Sequence, residues 1–384
     1  MALWIASRLP DGLKGTSASA ALSPLDLYAT CRRGNLALCR PCCVVDFDEL
    51  LAYLAGVIDS DGYLKVMKGY RTRGTVFPHY GTTVGLQQLW PGNAVRLFAS
   101  TFSGQMKLWP LPSGRQIARC EIHCRKAEAA ARRLLPYLLV KKDQALVLLE
   151  VARLNRVTRN RSRERYRDLA AARQTLVSLH EGSWAKASNP LPLPASQRGY
   201  ERMRPVQLGW TRNQVFAYLA GVMDSDGNFR TEKKHVRNMI GPHYRINIRC
   251  AQVSPSPAVE LLAETFGGRL HVSKSRRLNH RDLVCWSLHD RTAASAIEAL
   301  LPYLIVKEAE AYLLLELRRL KAQGKKGMTE WEHPNRWRDS VKMRKRCYTP
   351  EQTAGFERIH RAIQALHSAR SDWPESEGPQ SNTE

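Results

Sequence analysis

The sequence predicts an α+β fold made by tandem duplication, and three observations lead there. Residues 52–62 and 217–227 are the same eleven-residue phrase, differing only at Ile58 against Met223. Helix-like and strand-like patterns follow each copy in the same order. Landmarks in the two halves keep nearly constant separation: 165 residues from Asp61 to Asp226 and from Gln87 to Gln252, and 166 from Lys141 to Lys307. A repeat of this length reads as two copies of one structural unit.

Each copy opens on a helix. Asp46 and Glu49, then Thr211 and Gln214, have capping-box spacing before an apolar run. Leu51, Leu54, Ala55 and Ile58 recur at helical spacing, as do Phe216, Leu219, Ala220 and Met223. Gly56 and Gly221 are costly inside a helix, by about 1 kcal/mol against alanine, so another backbone must come close there. The natural partner of each helix is the other, packed through Ala55, Gly56, Ala220 and Gly221. Their ends, Asp59-Ser60-Asp61-Gly62 and Asp224-Ser225-Asp226-Gly227, would then crowd carboxylates into one place. Crowded carboxylates at helix C-termini call for a cation, and magnesium suits one or two carboxylates with water and phosphate completing its shell.

The remaining elements follow in order. In the first half, strands are expected at 63–70 and 75–89, a helix at 93–102, a hairpin of 105–109 with 116–124 across Ser113-Gly114, and helices at 126–139 and 143–154. In the second half, strands are expected at 228–234 and 243–253, a helix at 256–266, a hairpin of 269–275 with 282–289, and helices at 292–305 and 308–320. Basic helical extensions are expected at 156–180 and 336–367. The domain plan is an N-terminal extension at 1–45, repeats at 46–185 and 211–367, a proline-rich linker at 186–210 and an acidic tail at 368–384. Residues 1–45 are compatible with a transit-like leader or with a disordered extension.

Composition narrows the partner. A formal charge of +24 over 384 residues points to a polyanion. No apolar run approaches membrane length, which favours nucleic acid over a bilayer. Nine cysteines without a regular framework suggest reduced thiols inside a cell, in an organelle or a prokaryotic cytoplasm. Cys31, Cys39, Cys42 and Cys43 fit no common zinc knuckle, and strand alternation turns His123 away from Cys120 and Cys124. The expected strands are rich in Tyr63, Lys65, Lys68, Arg71 and Arg73 in one half, and in Arg230, Lys233, Lys234, Arg237, Arg245, Asn247 and Arg249 in the other. Arginine and asparagine on a β-ribbon can read base edges, while lysines set register on phosphates.

Leu54 to Gly62, Leu-Ala-Gly-Val-Ile-Asp-Ser-Asp-Gly, and its copy Leu219 to Gly227 resemble the motif of the LAGLIDADG homing endonucleases, with two motifs in one chain as in the monomeric members. The resemblance covers most of residues 46–367. It implies two αββαββα units whose curved antiparallel sheets form a saddle over double-stranded DNA. It implies that Asp61 and Asp226 bind Mg²⁺, with Mn²⁺ as an alternative. Lys141 and Lys307 would lie near the scissile phosphates, Gln87 and Gln252 would order water, and Asp59 and Asp224 would bond to local backbone. A slipped register would instead make these glutamines base contacts. The implied activity is hydrolysis of both DNA strands at a long asymmetric site, encoded within an intron. An RNA-binding intron maturase or a non-cleaving DNA-binding regulator on the same fold are the alternatives.

Overall fold

The computed structural model describes residues 46–69, 78–157, 163–181, 209–235, 239–240, 242–274, 281–323, 327–333 and 341–371. The expectations for residues 1–45 and their cysteines, for most of the proline-rich linker, for the acidic tail beyond Ser371, and for Arg71, Arg73 and Arg237 lie outside them.

Two central helices organise the molecule, α1 (Phe47–Asp61) and α6 (Arg212–Asp226). Thr211 and Gln214 form the full capping box before α6. Asp46 caps α1 through Asp48 N at 3.4 Å, so Glu49 is not the partner its spacing suggested. Every residue from Leu51 to Asp59 is buried, which makes α1 apolar around its whole circumference rather than along one stripe. The close approach inferred at the glycines is present and reciprocal. A Cβ on Gly56 would stand 2.1 Å from Tyr218 O, and one on Gly221 would stand 2.1 Å from Tyr53 O.

From each helix the chain turns directly into a sheet. The first half contains β1 (Gly62–Gly69), β2 (His79–Leu89), α2 (Asn93–Thr101), β3 (Met106–Pro110), β4 (Gln116–His123) and α3 (Cys124–Leu134). Its strands pair antiparallel in the order β1-β2-β4-β3. The helices α4 (Lys142–Val157) and α5 (Arg163–Glu181) pack behind it. The second half repeats this with β5 (Gly227–His235), the two-residue β6 (Met239–Ile240), β7 (Pro242–Val253), α7 (Pro257–Phe266), β8 (Arg269–Ser273), β9 (Leu283–His289), α8 (Asp290–Leu300) and α9 (Glu308–Gln323). The strand order β5-β7-β9-β8 matches the first sheet.

The second extension differs from the helix expected over 336–367. A hairpin of β10 (Gly327–His333) and β11 (Val341–Cys347) comes first, with β11 also pairing parallel to β6. Among the described residues there, α10 (Pro350–Ser371) supplies the helix. Thr349 and Gln352 exchange the two hydrogen bonds of a capping box, at 3.1 and 3.2 Å, and proline at the first helical position needs no donor. These signals set the start of the helix later than its basic composition implied.

One hydrophobic core joins both halves. Leu54, Ile58, Leu86 and Phe98 from the first pack in the same cluster as Tyr218, Met223, Ile248 and Trp286 from the second. Helices cover one face of each four-stranded sheet, so alternate strand residues project from the other face. Among the described residues no helix is long and apolar enough to cross a membrane.

Candidate active site at the paired helix ends

The first aspartate of each motif holds the architecture. Asp59 accepts from the backbone N–H groups of Leu139 at 2.7 Å, Val140 at 3.1 Å and Lys141 at 2.8 Å. It also accepts from Tyr218 Oη, in the other repeat, at 2.8 Å. Asp224 repeats the pattern with Ile305, Val306, Lys307 and Tyr53. Asp59 and Asp224 therefore bond to backbone some eighty residues along the chain and to the opposite helix, rather than locally at their own helix ends. Burial pushes the Asp59 carboxyl up even so, against the lowering effect of these bonds.

The second aspartates meet at the site. Gln252 Nε2 donates to Asp226 Oδ2 at 2.7 Å and to Ser60 Oγ, of the first repeat, at 3.0 Å. One amide thus touches both motif ends. Gln88 Nε2 donates to Asp61 Oδ2 at 2.9 Å. Burial pushes the Asp61 carboxyl up and the charge of Asp226 adds to it, while the bond from Gln88 and the charge of Lys307 work against them. The influence of Asp226 on Asp61 places the two in one electrostatic neighbourhood.

Gln88, and not Gln87, is the first-repeat counterpart of Gln252. Gly62 pairs with Leu86 and Gly227 with Cys250, so the first hairpin is one residue longer than the second. A one-residue shift moves a strand side chain to the other face. Gln87 accordingly lies exposed on the open face, opposite Arg119. The amides also differ in support. Ser256, which caps α7, donates to Gln252 Oε1, whereas Gln88 Oε1 is buried without a partner among the described residues. The corresponding cap of α2 is Gly92, which has no hydroxyl to offer.

The lysines cap the motif helices from beneath. Lys141 Nζ lies 2.7 Å from Ile58 O, 2.9 Å from Asp59 O, 3.1 Å from Ser60 O and 2.8 Å from Gly62 O. Lys307 Nζ does the same for Met223, Ser225 and Gly227. A cation among terminal carbonyls neutralises the negative end of the helix dipole. Burial pulls the Lys141 ammonium down, and Asp59, Asp226 and Asp61 oppose that pull.

A divalent cation fits this donor set. Asp61 and Asp226 offer hard oxygens, and Gln88 Oε1 is a buried oxygen still lacking a donor. Among the described residues no group of three His, Cys, Asp or Glu is arranged to hold a metal. Two carboxylates suffice for magnesium, whose shell keeps water and substrate phosphate.

The strand register sorts the expected DNA contacts. Tyr63 and Lys65 lie on the open face of the first sheet, and Arg230, Lys234, Arg245, Asn247 and Arg249 on that of the second. Lys68 and Lys233 fall on the alternate positions, toward the helices, where Lys233 pairs with Glu357 of α10 at 2.8 Å. Asn247 is fully buried and donates to Glu232. Sequence reading missed Lys107, Arg119, Arg269 and His271, which β3, β4 and β8 bring to the same faces. It could have found them by carrying the two-residue alternation across each hairpin. Cys120 points into the core, while His123 meets Thr83 at 3.0 Å on the open face.

Two αββαββα units packed through one glycine-containing helix each, with sheets open on the far side, define the LAGLIDADG homing endonuclease fold, in its two-motif single-chain form. Solved structures show which proteins this chain is similar to. I-SmaMI bound to an uncleaved DNA target in the presence of calcium ions matches with a TM-score of 0.56 at 14% identity, over 82% of this chain and 98% of that one. I-CpaMI bound to uncleaved DNA matches at 0.55 and 8%, over 84% and 99%. I-LtrWI bound to target DNA matches at 0.53 and 13%, over 82% and 97%. No family model and no curated protein matches the sequence.

Proposed function

We propose that this protein is a site-specific double-strand DNA endonuclease that hydrolyses phosphodiesters with a divalent metal, Mg²⁺ in the first instance, as an intron-encoded homing enzyme. The observation that carries the reading is Gln252 Nε2 bonded to Ser60 of one motif and Asp226 of the other, which makes a single site from two motif ends. Structures of I-SmaMI with uncleaved and with cleaved DNA support the reaction class.

Asp61 and Asp226 would hold the metal, which when bound supplies charge neutralisation at the phosphate and an activated water. The chain's own residues do the rest. Gln88 and Gln252 orient the carboxylates and can order water beside them. Lys141 and Lys307 hold the turn between each helix and its sheet rigid, and contribute fixed positive charge under the site. Tyr63, Lys65, Arg119, Arg230, Arg245 and Arg249 place duplex DNA against the open faces. The halves differ on those faces, so the target is asymmetric and one chain suffices.

The test is cleavage of a plasmid library of genomic fragments from the source organism, with Mg²⁺ and with EDTA. Linearised plasmids sharing one site, lost with Asp61→Asn or Asp226→Asn, are expected. Tight duplex binding with no cleavage under any divalent metal would replace this reading with that of a DNA-binding regulator.

A further inference from the structure

A carboxylate lies in the middle of the basic open face of the second sheet. Glu232 projects from β5 opposite Arg245. Its Oε1 is 3.0 Å from Arg230 Nη2 and 3.4 Å from Arg249 Nη2, and also accepts from Asn247. Its Oε2 is 2.8 Å from Lys234 Nζ. Only 13% of the Glu232 side chain is exposed, against 34% to 51% for these three cations. Against the upward push of burial, Lys234, Asn247 and Arg230 hold its carboxyl at about 2, so it is ionised throughout the working range.

The first sheet has a device of the same kind at a different position. Glu121 on β4 lies 2.5 Å from Arg119 Nη2, accepts from Tyr63 Oη at 2.6 Å and is 4.0 Å from Lys65 Nζ. The two acids are not related by the repeat, since Glu121 stands opposite Gly85 and Glu232 opposite Arg245.

A surface built only to grip a polyanion gains nothing from a carboxylate facing the phosphates. We propose that Glu232, with Glu121 on the other sheet, is a specificity-determining residue: it withholds the cations of the open face from DNA of arbitrary sequence. The inference rests on the DNA-binding reading above. An arginine has five donors, and the pairs with Glu232 engage only part of them. Base edges of the right target can be met by the remaining donors with the pairs intact. Phosphates of random DNA gain full contact only when the pairs break, so discrimination comes from weakening the wrong complex.

The experiment measures binding of the full chain to a random-sequence DNA duplex in EDTA by fluorescence anisotropy, across a salt series. Glu232→Gln is expected to bind that duplex roughly three- to tenfold tighter at about 0.1 M salt, with a log–log salt slope steeper by about one. Glu121→Gln should move in the same direction on the other sheet. Glu150→Gln makes the same charge change on the helical layer, where Glu150 holds Arg153 at 2.6 Å, and should change affinity less than about twofold. Thermal unfolding of each variant reports on folding, and Glu121→Gln gives an independent reading if Glu232→Gln does not fold. Glu232→Gln binding no tighter than Glu150→Gln overturns the inference alone. Wild-type protein that fails to bind duplex DNA overturns the DNA-binding reading itself.

Discussion

Tyr218 Oη donates to Asp59 Oδ2 at 2.8 Å across the helix pair, and Tyr53 returns the bond to Asp224 at 2.8 Å. Each repeat thereby supplies one of four donors that hold the other repeat's first aspartate, which in turn holds the backbone carrying Lys141 or Lys307. Burial and Asp224 push the Tyr53 phenol far up, so it remains a neutral donor. Tyr218→Phe should lower stability by about 1–2 kcal/mol, because Asp59 keeps its three backbone donors but loses one bond in a buried place. Urea unfolding of the variant against wild type measures this.

Gly56 and Gly221 admit no side chain. The atom that a Cβ would meet is a backbone carbonyl oxygen at 2.1 Å, which no rotamer change can move. Gly56→Ala should push the two helices apart and cost roughly 3 kcal/mol or more, at the upper end of overpacking effects. A Gly56→Ala protein with an unchanged denaturation midpoint would mean that α1 and α6 do not pack through these residues.

Short-range pattern made much of this architecture readable. The apolar spacing of α1 and α6 answers to neighbours one turn away, and their glycines record the helix pair because each repeat carries the same small residue where the other helix's backbone comes close. The errors arise where the deciding fact is spatial. One additional residue in the first hairpin exchanged Gln88 for Gln87, and no local signal marks which loop is longer. Charge alone groups Lys68 and Lys233 with Lys65 and Lys234, although alternation puts them on opposite faces. The backbone partners of Asp59 lie eighty residues away, beyond the reach of any motif. Glu232 has no signature in sequence, because Arg249 joins Arg230 and Lys234 around it only across the paired strands.

The assignment of Gln88 separates two outcomes that sequence left open. Gln88→Ala removes the donor to Asp61 and should lower the cleavage rate about tenfold or more while leaving duplex affinity near wild type. Gln87→Ala, on the open face, should leave the maximal rate near wild type and weaken binding or relax base preference beside its position. Single-turnover cleavage with separate equilibrium binding resolves the two. Reversed effects would restore Gln87 to the catalytic position.

Stability should respond to divalent metal in a pH-dependent way. Burial and Asp226 raise the Asp61 carboxyl above its ordinary value near 3.8, so the folded state binds that proton more tightly than the unfolded state. The stabilisation linked to this group is fully present below the unfolded value and is lost as pH rises through the folded one. Above the folded value the charged Asp61 carboxylate stands buried beside Asp226 at a cost, which a cation between them offsets. Adding Mg²⁺ to about 100 times its dissociation constant should contribute about 2.7 kcal/mol and raise the thermal midpoint by several degrees. The increment should shrink as pH falls toward the carboxylate range, because protons then compete for the same oxygens. Asp61→Asn should stabilise the metal-free protein at neutral pH and remove most of the response to Mg²⁺. Thermal unfolding with Mg²⁺ and with EDTA, at mildly acidic and at neutral pH, tests both signs at once, and a midpoint indifferent to metal in the wild type would remove Asp61 and Asp226 from the role of ligands.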